Sequence, residues 1–345
     1  MIIDSDTLRA ALGWDSYFED RWKHIAEPGD VAARVVADYG ADYLVHDGEE
    51  ARRAPAHGVD PSVGDWVALR EGMVAAIAER RTVFSRRAAG VANRQQVLAA
   101  NVDLTFVVAA ATDVNVRRIE RYLTIAWQSG AVPVVLLTKA DISRQPESMR
   151  MDVESVSAGA PVIVTSGITG EGVAEVERLL QPARTGVLLG PSGAGKSTLI
   201  NRIVGTDLMR TRTIHEGTGE GRHMTSHRQL VQLPSGGMII DTPGLREAQL
   251  WEGEEALDGL FDDIAQLALR CRFPDCEHRT EPGCAIKDAL REGSLDQGRL
   301  DSYRKLQREL RSIAARSDAR LRQDERRKWK QIAVANKARE RYLRR

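Results

Sequence analysis

The chain has 345 residues, enough for two or three domains that each bury a hydrophobic core. Its composition is globular, with 42% hydrophobic and 28% charged residues, and no apolar run approaches the ~20 residues that would span a bilayer. The net charge is zero, and the N-terminus has no basic region followed by an apolar stretch, so we expect no secretory signal, no membrane contact and a cytoplasmic location.

The first predicted element is an amphipathic helix within residues 1–30. Trp14, Phe18 and Trp22 recur at helical spacing, which places three aromatic rings on one face. We expect this N-terminal helical extension to pack its aromatic face on the domain that follows.

Residues 31–95 are predicted to form a small β-barrel. Short alternating apolar runs are separated by turn signals such as Asp47-Gly48. Several strands in so short a segment are typical of an OB fold, which often binds nucleic acid through one face. The runs are residues 33–39, 42–46, 65–69 and 73–78.

Residues 96–250 are predicted to form a central α/β domain, in which the apolar run 132–137 leads into Thr138, Lys139 and Asp141. This segment resembles the guanine-reading motif of GTPases, with Thr138 where Asn is commoner. Only guanine presents two adjacent donors that one carboxylate accepts together, so Asp141 would exclude adenine, and the stem of Lys139 would lie over the base. A charged turn at a strand end is the alternative for this motif taken alone.

A second apolar run, residues 161–164, leads into a polar loop that contains Ser166 and Gly167. The loop resembles the weak fifth GTPase motif, in which a backbone N–H contacts the guanine O6. Alone it is a polar loop before a helix, and it gains weight from its position after Asp141.

A phosphate-binding loop is predicted at residues 190–198, which fit G-x-x-x-x-G-K-[ST] between an apolar strand and a helix over 197–204. This arrangement aims backbone N–H groups at an anion. Lys196 would reach the β- and γ-phosphates, and Ser197 would bind Mg²⁺. The predicted nucleotide-binding residues of this loop are Gly190, Pro191, Ser192, Gly193, Ala194, Gly195, Lys196, Ser197 and Thr198.

A D-x-x-G motif runs from Asp241, at the end of the apolar run 237–240, to Gly244. An acid at a strand tip downstream of a phosphate loop suits the carboxylate on the Mg²⁺ side, and the Gly244 N–H would meet a γ-phosphate. Leu245 then occupies the position where GTPases ordinarily place a Gln that orients water.

The order of these motifs is circularly permuted, because GTPases ordinarily begin with the phosphate loop and end with the guanine motifs. Permutation is tolerated where termini lie close together at exposed tips. The segment after D-x-x-G therefore leads directly into a C-terminal domain. Any motion tied to the γ-phosphate would be coupled covalently to whatever that domain contacts.

Residues 251–345 are predicted to form an α-rich zinc-binding and basic helical domain. All three cysteines and one histidine lie in the pattern C-x₄-C-x-H-x₅-C. Three thiolates and one imidazole would make a closed, structural, tetrahedral zinc site with one ion per chain, and buried or free cysteines are the alternative. The predicted ligands are Cys271, Cys276, His278 and Cys284.

The C-terminal residues 301–345 carry sixteen Lys and Arg against six Asp and Glu, without Pro or Gly. Their composition favours a helix, and Leu306, Leu310 and Ile313 give one apolar stripe. A basic helix of this kind commonly meets nucleic-acid phosphates. A solvated face, or contact with a membrane or a calmodulin-like partner, is the alternative.

These motifs together closely resemble the ribosome small-subunit-dependent GTPases of bacteria, a permuted family with an N-terminal OB barrel and a C-terminal zinc domain. The resemblance implies a monomeric, Mg²⁺-dependent GTP hydrolase that binds GTP, GDP and rRNA. It would be stimulated by the small (30S) ribosomal subunit and act in late maturation of that subunit, alongside other assembly factors. The matching stretches are residues 63–67, 101–103, 138–141, 190–198, 221–227 and 241–247, with the Cys/His cluster.

The resemblance also implies roles for His223 and Thr225, which fit the family's switch pattern Gly-x-His-x-Thr. His223 would be catalytic, because an imidazole can orient or polarise water where Leu245 cannot. Thr225 would join Ser197 on Mg²⁺. Family members commonly carry Thr on both sides of Thr225, where this chain has Met and Ser.

Two alternatives from other functional classes stay open at this point. A nucleotide-gated RNA-binding module with little catalysis is favoured by Leu245. A GTPase that handles metal would carry zinc as cargo, and a closed Cys₃His site next to a basic tail argues against it.

Overall fold

A computed structural model describes residues 5–40, 42–87, 95–205, 228–241, 257, 260–274, 276–279 and 281–317. Packing divides the described chain into two compact units. One unit comprises residues 1–86 and 96–249, and the other comprises residues 87–95 and 250–345. The division into four domains that we expect from the sequence stays a prediction.

Five antiparallel strands form the N-terminal part of the first unit, and they pair in the order β3-β2-β1-β4-β5. A parallel bridge between Ala56 and Val74 joins the chain after β3 to β5. Val35, Val45 and Val67 are almost fully buried in their shared core. The strands are β1 (Val31–Asp38), β2 (Tyr43–His46), β3 (Ala51–Ala54), β4 (Trp66–Arg70) and β5 (Met73–Ile77).

Two helices precede these strands, α1 (Ser5–Ala10) and α2 (Ser16–Ile25). The expectation that Trp14 lies in the amphipathic helix was wrong. Asp15 is the extended N-cap residue of α2, and its carboxylate accepts from the backbone N–H groups of the first turn, so the helix begins after Trp14.

The aromatic residues nevertheless pack on the strands, as predicted. The ring of Trp14 lies edge-on to Trp66 of β4 at a centroid distance of 4.7 Å, and Phe18 lies 6.0 Å from the same ring. Phe18 and Trp66 are almost fully buried. Edge-to-face contacts of this kind add to the gain from burying the rings.

The central sheet has five parallel strands in the order β10-β9-β8-β11-β13, with β12 antiparallel at the side of β13. Its parallel strands are near-continuous apolar runs, as expected for parallel strands that helices cover on both faces. The strands of this sheet are β8 (Leu104–Ala110), β9 (Val132–Thr138), β10 (Val162–Val164), β11 (Thr185–Leu189), β12 (Arg228–Gln232) and β13 (Met238–Asp241). Between the two groups of strands, β6 (Val83–Arg87) and β7 (Gln95–Ala100) pair separately.

Four helices connect the parallel strands. Apolar residues of α5 and α6 join those of the sheet in one core, where Phe106 of β8 and Leu136 of β9 are fully buried. The helices are α3 (Val116–Ser129), α4 (Pro146–Glu154), α5 (Val173–Leu179) and α6 (Lys196–Val204), and a 3-10 turn spans Ala140–Ile142.

The two groups of strands form one continuous sheet, because β12 also pairs with β1, with Ala37 opposite Gln229. Buried Arg34 of β1 reinforces this junction. Its guanidinium donates hydrogen bonds of 2.9 Å to the Thr185 hydroxyl of β11 and 3.1 Å to the carbonyl oxygen of Asn101. It also donates one to the carbonyl oxygen of Leu12. Burial lowers the pKa of Arg34 to about 10, so the guanidinium stays protonated at neutral pH.

Within residues 250–345 of the second unit, the described chain contains three helices. Arg299 bonds to Asp263 at 2.6 and 2.8 Å, and Tyr303 lies 5.5 Å from Phe261, which packs the last helix on the first. The helix predicted from residue 301 is confirmed as far as residue 317, with Leu306 and Leu310 buried. The helices are α7 (Asp262–Leu269), α8 (Ala285–Glu292) and α9 (Gln297–Ser317).

Within the described part of the chain, no helix combines the length and the apolar character that a membrane span requires.

Candidate functional site

The predicted nucleotide motifs meet at one edge of the central sheet. Thr138 ends β9, Ser166 follows β10, Gly190 follows β11 and Asp241 ends β13. Because these strands are parallel, their carboxyl ends lie at the same edge, where open α/β sheets bind ligands. The sheet therefore brings together residues that are far apart in sequence.

The phosphate loop has the backbone that its glycines predict. A Cβ added at Gly190 would lie 2.4 Å from the carbonyl oxygen of Val108, so only glycine allows this approach to β8. Gly193 and Gly195 have φ values of +78° and +89°, in the left-handed region that glycine adopts without strain. The loop thus turns tightly into α6.

The start of α6 is suited to an anion. Gly195 is the N-cap residue and supplies no side-chain acceptor to the first-turn N–H groups. The unpaired donors at a helix N-terminus, with the helix dipole, attract phosphate. Lys196 lies at the same place, where its ammonium donates 2.7 Å to the carbonyl oxygen of Gly190 and 2.6 Å to that of Pro191. The loop therefore fits the nucleotide phosphates that its sequence predicts.

The two predicted base-reading segments contact each other. The Ser166 hydroxyl donates 2.5 Å to Oδ1 of Asp141 and accepts from the backbone N–H groups of Ile168 and Thr169 at 3.2 and 3.1 Å. Ser166 is fully buried, whereas Asp141 is exposed. The hydrogen bond orients the carboxylate through Oδ1.

The two predicted base-reading segments also contact the predicted phosphate loop. A Cβ added at Gly167 would lie 3.0 Å from Cγ2 of Thr198 in the first turn of α6, so the residue packs closely there. Thr138 is buried and its hydroxyl faces the carbonyl oxygen of Ala194. These contacts join three of the predicted motifs into one site.

Lys139 has a φ of +60°, which is unusual for a residue with a side chain. Its side chain helps to line a cavity of about 150 Å³ beside residues 191–194. The polar lining residues that sequence reasoning missed include Asn115, Arg118 and Tyr122, which come from α3 and its N-cap. The signal for the helix start was an Asn three residues before Arg118, but nothing local indicates which cavity the helix lines.

Asp241 lies at the same level as the end of β11. The parallel register pairs Val187 with Ile240, which places Asp241 beside Leu188 and close to the start of the phosphate loop. The other residues predicted around the γ-phosphate, His223, Thr225 and Gly244, lie outside the described residues, as does Leu245.

The four predicted metal ligands converge in the second unit. Their ligand atoms all lie within 4.8 Å of one another. Nδ1 of His278 lies 3.5 Å from Sγ of Cys271 and 3.5 Å from Sγ of Cys284, and these two sulfurs are 3.9 Å apart. A Cys₃His cluster of this kind is compatible with a metal ion.

Two features of this cluster bear on metal binding. Burial, and then the nearby Arg304 guanidinium, lower the pKa of His278, which favours the neutral imidazole that ligates metals. Burial and the neighbouring thiols raise the pKa of Cys276 to about 11, so a metal would have to displace its proton. Arg304 of α9 also donates 2.7 Å to the carbonyl oxygen of His278.

Known proteins resemble this chain along most of its length. The family model described as RsgA GTPase matches residues 77–251. A protein of Opitutus terrae named small ribosomal subunit biogenesis GTPase RsgA is 42% identical over 358 residues, with 96% of this chain and 98% of its own length covered. A Streptomyces avermitilis protein of the same name is 42% identical over 341 residues, with 94% and 92% covered. The chain belongs to the RsgA GTPase family.

Membership of this family confirms the resemblance inferred from the motifs, and with it the predicted GTP hydrolase activity. In fold, the crystal structure of YjeQ from Thermotoga maritima matches with a TM-score of 0.61, 24% identity and coverage of 81% of this chain and 98% of that one. YloQ, described as a circularly permuted GTPase, matches with a TM-score of 0.59, 23% identity and coverage of 83% and 96%. The permuted α/β fold is therefore confirmed.

Proposed function

We propose that this chain is a Mg²⁺-dependent GTPase that acts in late maturation of the small ribosomal subunit. The observation that carries the proposal is the junction of the base-reading and phosphate loops, where Ser166 bonds to Asp141 and Gly167 packs on Thr198. The relatives whose name includes small ribosomal subunit biogenesis align with nearly the whole chain, which supports the same task here.

The nucleotide would be read at both ends. The Asp141 carboxylate would accept the two adjacent donors of guanine while Ser166 holds its orientation, and the Gly167 N–H would meet O6. The backbone of residues 190–198 and the Lys196 ammonium would bind the phosphates. Adenine offers a different donor pattern at the same edge, so the site would exclude ATP.

Catalysis requires a group that orients water, and Leu245 cannot supply one. We assign this role to His223, with Thr225 and Ser197 as Mg²⁺ ligands and Asp241 on the metal side. Mg²⁺, when bound, neutralises charge on the β- and γ-phosphates. His223 and Thr225 lie outside the described residues, so their roles rest on the sequence pattern and the family.

His223→Ala tests the catalytic assignment in single-turnover hydrolysis with saturating small subunits. We expect a rate loss of about 100-fold with GTP and subunit binding retained, because the imidazole would act only in the transition state. His227→Ala, in the same segment, is the matched control and should leave the rate unchanged. A His223→Ala rate within about twofold of wild type, under 0.5 kcal/mol on the barrier, would refute the assignment.

The same hydrolysis assay distinguishes the proposed GTPase from the alternative of an RNA-binding module with little catalysis. A nucleotide-gated RNA-binding module, which Leu245 favours, would show no turnover even in the wild-type protein with small subunits. It would still bind subunits differently with GTP and with GDP.

We assign zinc to the Cys₃His cluster, with Cys271, Cys276, His278 and Cys284 as ligands. In a tetrahedral site, Zn–S distances of ~2.3 Å require sulfurs ~3.8 Å apart. The observed separation of the Cys271 and Cys284 sulfurs is 3.9 Å, so this pair matches the spacing of two thiolates on one tetrahedral zinc ion. With four protein ligands, zinc would leave no position for a substrate, and its role would be structural.

The N-terminal strands would form an OB barrel that binds rRNA. The two arms β1-β2-β3 and β1-β4-β5 are joined at their ends by the Ala56–Val74 bridge, which supports closure of the five strands. OB barrels often bind RNA on one face.

The basic C-terminal residues would provide a second RNA contact for a monomeric, cytoplasmic protein. Deletion of residues 318–345 should weaken small-subunit binding and flatten its salt dependence, because phosphate contacts release counterions. Binding measured at several salt concentrations gives the slope. An unchanged slope would mean that this segment is a solvated face.

A further inference from the structure

The Thr138 side chain is engaged with the phosphate loop. Thr138 is the last residue of β9 and is 2% exposed. Its hydroxyl oxygen lies within hydrogen-bonding distance of the carbonyl oxygen of Ala194 and is farther, at 3.2 Å, from that of Ala109. A hydroxyl carries one proton, so the closer contact identifies Ala194 as its acceptor. The donor of Thr138 is therefore used within the protein.

The turn of the phosphate loop rests on the same side chain. A Cβ added at Gly195 would lie 3.1 Å from Oγ1 and 3.4 Å from Cβ of Thr138. Ala194 is 3% exposed. Thr138 thus limits how far the Ala194–Gly195 turn can move towards β9.

Peptide geometry transmits this contact to the anion-binding side of the loop. A trans peptide is planar, so the Ala194 carbonyl and the Gly195 N–H point in opposite directions. With the carbonyl held by Thr138, the Gly195 N–H is turned away from β9. It lies next to Lys196, where α6 begins and a phosphate would bind.

We propose that Thr138 is a positioning residue for the phosphate loop and takes no part in reading the guanine base. The proposal rests on the nucleotide site proposed above, and it changes the role that the sequence motif predicts for Thr138. Base reading is left to Asp141 and Ser166. Loss of the Thr138 hydroxyl should therefore weaken the binding of every nucleotide that has a β-phosphate by the same factor, whatever its base.

The test compares Thr138→Ser with Thr138→Ala, which are similar in volume and differ in the hydroxyl. Full-length protein is titrated with GDP, GTP and inosine triphosphate, which lacks the exocyclic amine of guanine. Thr138→Ser should bind each nucleotide within about twofold of wild type. Thr138→Ala should bind each nucleotide about tenfold more weakly, because the buried Ala194 carbonyl loses its hydrogen-bond donor. The ratio of the affinities for GTP and inosine triphosphate should not change.

Thr105→Ala is the matched control. Thr105 lies on the adjacent strand β8, is fully buried, and its hydroxyl has no hydrogen-bond partner among the described residues. The substitution removes the same group from the same sheet without touching the phosphate loop, so nucleotide affinity should not change. Thr138→Val, which keeps the volume of Thr, repeats the comparison if the smaller side chain unfolds the strand.

Two results would overturn the proposal. One is equal nucleotide affinity of the Ala, Val and Ser variants at position 138. The other is a changed ratio of the affinities for GTP and inosine triphosphate in Thr138→Ala or Thr138→Val, which would show that Thr138 takes part in reading the base. Failure of the proposed function has a different signature, since the wild-type protein would then bind ATP as well as GTP.

Discussion

The nucleotide site and the metal cluster are built in opposite ways. The proposed nucleotide-binding residues come from the ends of four strands between residues 138 and 241, and only the sheet brings them together. The metal ligands come from one short segment, residues 271–284, whose own turns bring them together. The nucleotide site therefore depends on the fold of its whole unit, whereas the metal cluster depends on local chain reversal and on the ion.

Each site contains a left-handed residue that is not glycine. In the nucleotide site, the phosphate-loop residues Gly193 and Gly195 are glycines, but Lys139 of the predicted base-reading segment has a φ of +60°. In the metal segment, His278 itself has a φ of +59°. A left-handed residue that is not glycine costs energy, of order 1–3 kcal/mol, and metal coordination would offset that cost.

The largest expected effect comes from Lys196→Ala. Removing the ammonium beside the phosphate loop should lower GTP binding or turnover by about 100-fold or more, because charge stabilisation of the phosphates is lost. The zinc content should stay the same if the sites are independent. Nucleotide titration, turnover and elemental analysis measure the three quantities.

Arg117→Ala is the control for this variant, since it removes an exposed cation from α3 in the same unit. It should leave GTP binding unchanged. Undiminished GTPase activity in Lys196→Ala would refute the phosphate-loop assignment, and loss of zinc would break the contrast between the two sites.

The second prediction changes a proposed metal ligand and measures the effect on the nucleotide site. Cys276→Ser should release the zinc, of which the wild-type protein should hold about one ion per chain, and unfold the segment around it. GTP affinity should remain within about twofold. Glu277→Gln changes an exposed neighbour and should keep the zinc. A parallel loss of GTP affinity in Cys276→Ser would show that the metal cluster supports the nucleotide site.

Much of both sites could be predicted from sequence because motif spacing and apolar runs are local signals. The glycine-rich turn before α6 and the position of Asp141 after β9 follow from such patterns, as does the Cys₃His cluster. The contacts between motifs could not be predicted in this way. Thr138 and Ala194 are 56 residues apart, and their hydrogen bond exists only because β9 and β11 end at the same edge.

Other features escaped prediction for the same reason. The amphipathic pattern includes Trp14, but the Asp15 side chain caps α2 and excludes that residue from the helix. In the sequence, Arg34 is a single charge within a strand, yet its buried side chain has partners that include oxygens of Leu12, Asn101 and Thr185, all distant in sequence. Tertiary packing decides such cases, and local pattern carries no information about it.

The third prediction sharpens the role of one motif within the nucleotide site. Asp141→Asn should weaken GTP binding by at least about tenfold and strengthen the binding of xanthosine triphosphate. Xanthine has a carbonyl where guanine has its exocyclic amine, and the Asn amide can donate a hydrogen bond to that carbonyl. Competition between the two nucleotides gives the ratio. Asp152→Asn, an exposed residue of α4, is the control. Wild-type GTP binding by Asp141→Asn would show that this carboxylate does not read the base.

The smallest expected effect tests how local the metal cluster is. Arg304 of α9 donates 2.7 Å to the carbonyl oxygen of His278, which ties the metal segment to a helix 26 residues away. Arg304→Met keeps much of the apolar stem and removes that bond. If local turns and zinc hold the cluster, zinc affinity should fall by no more than about threefold, while the free energy of unfolding should drop by about 1 kcal/mol.

Chelator competition measures the zinc affinity, and thermal or urea unfolding measures the stability. Arg308→Met is the control, because Arg308 lies one turn further along α9 and bonds only within that helix among the contacts of the described chain. A loss of zinc affinity in Arg304→Met as large as that in Cys276→Ser would contradict local assembly. The metal segment would then resemble the nucleotide site, with its geometry imposed by the surrounding helices.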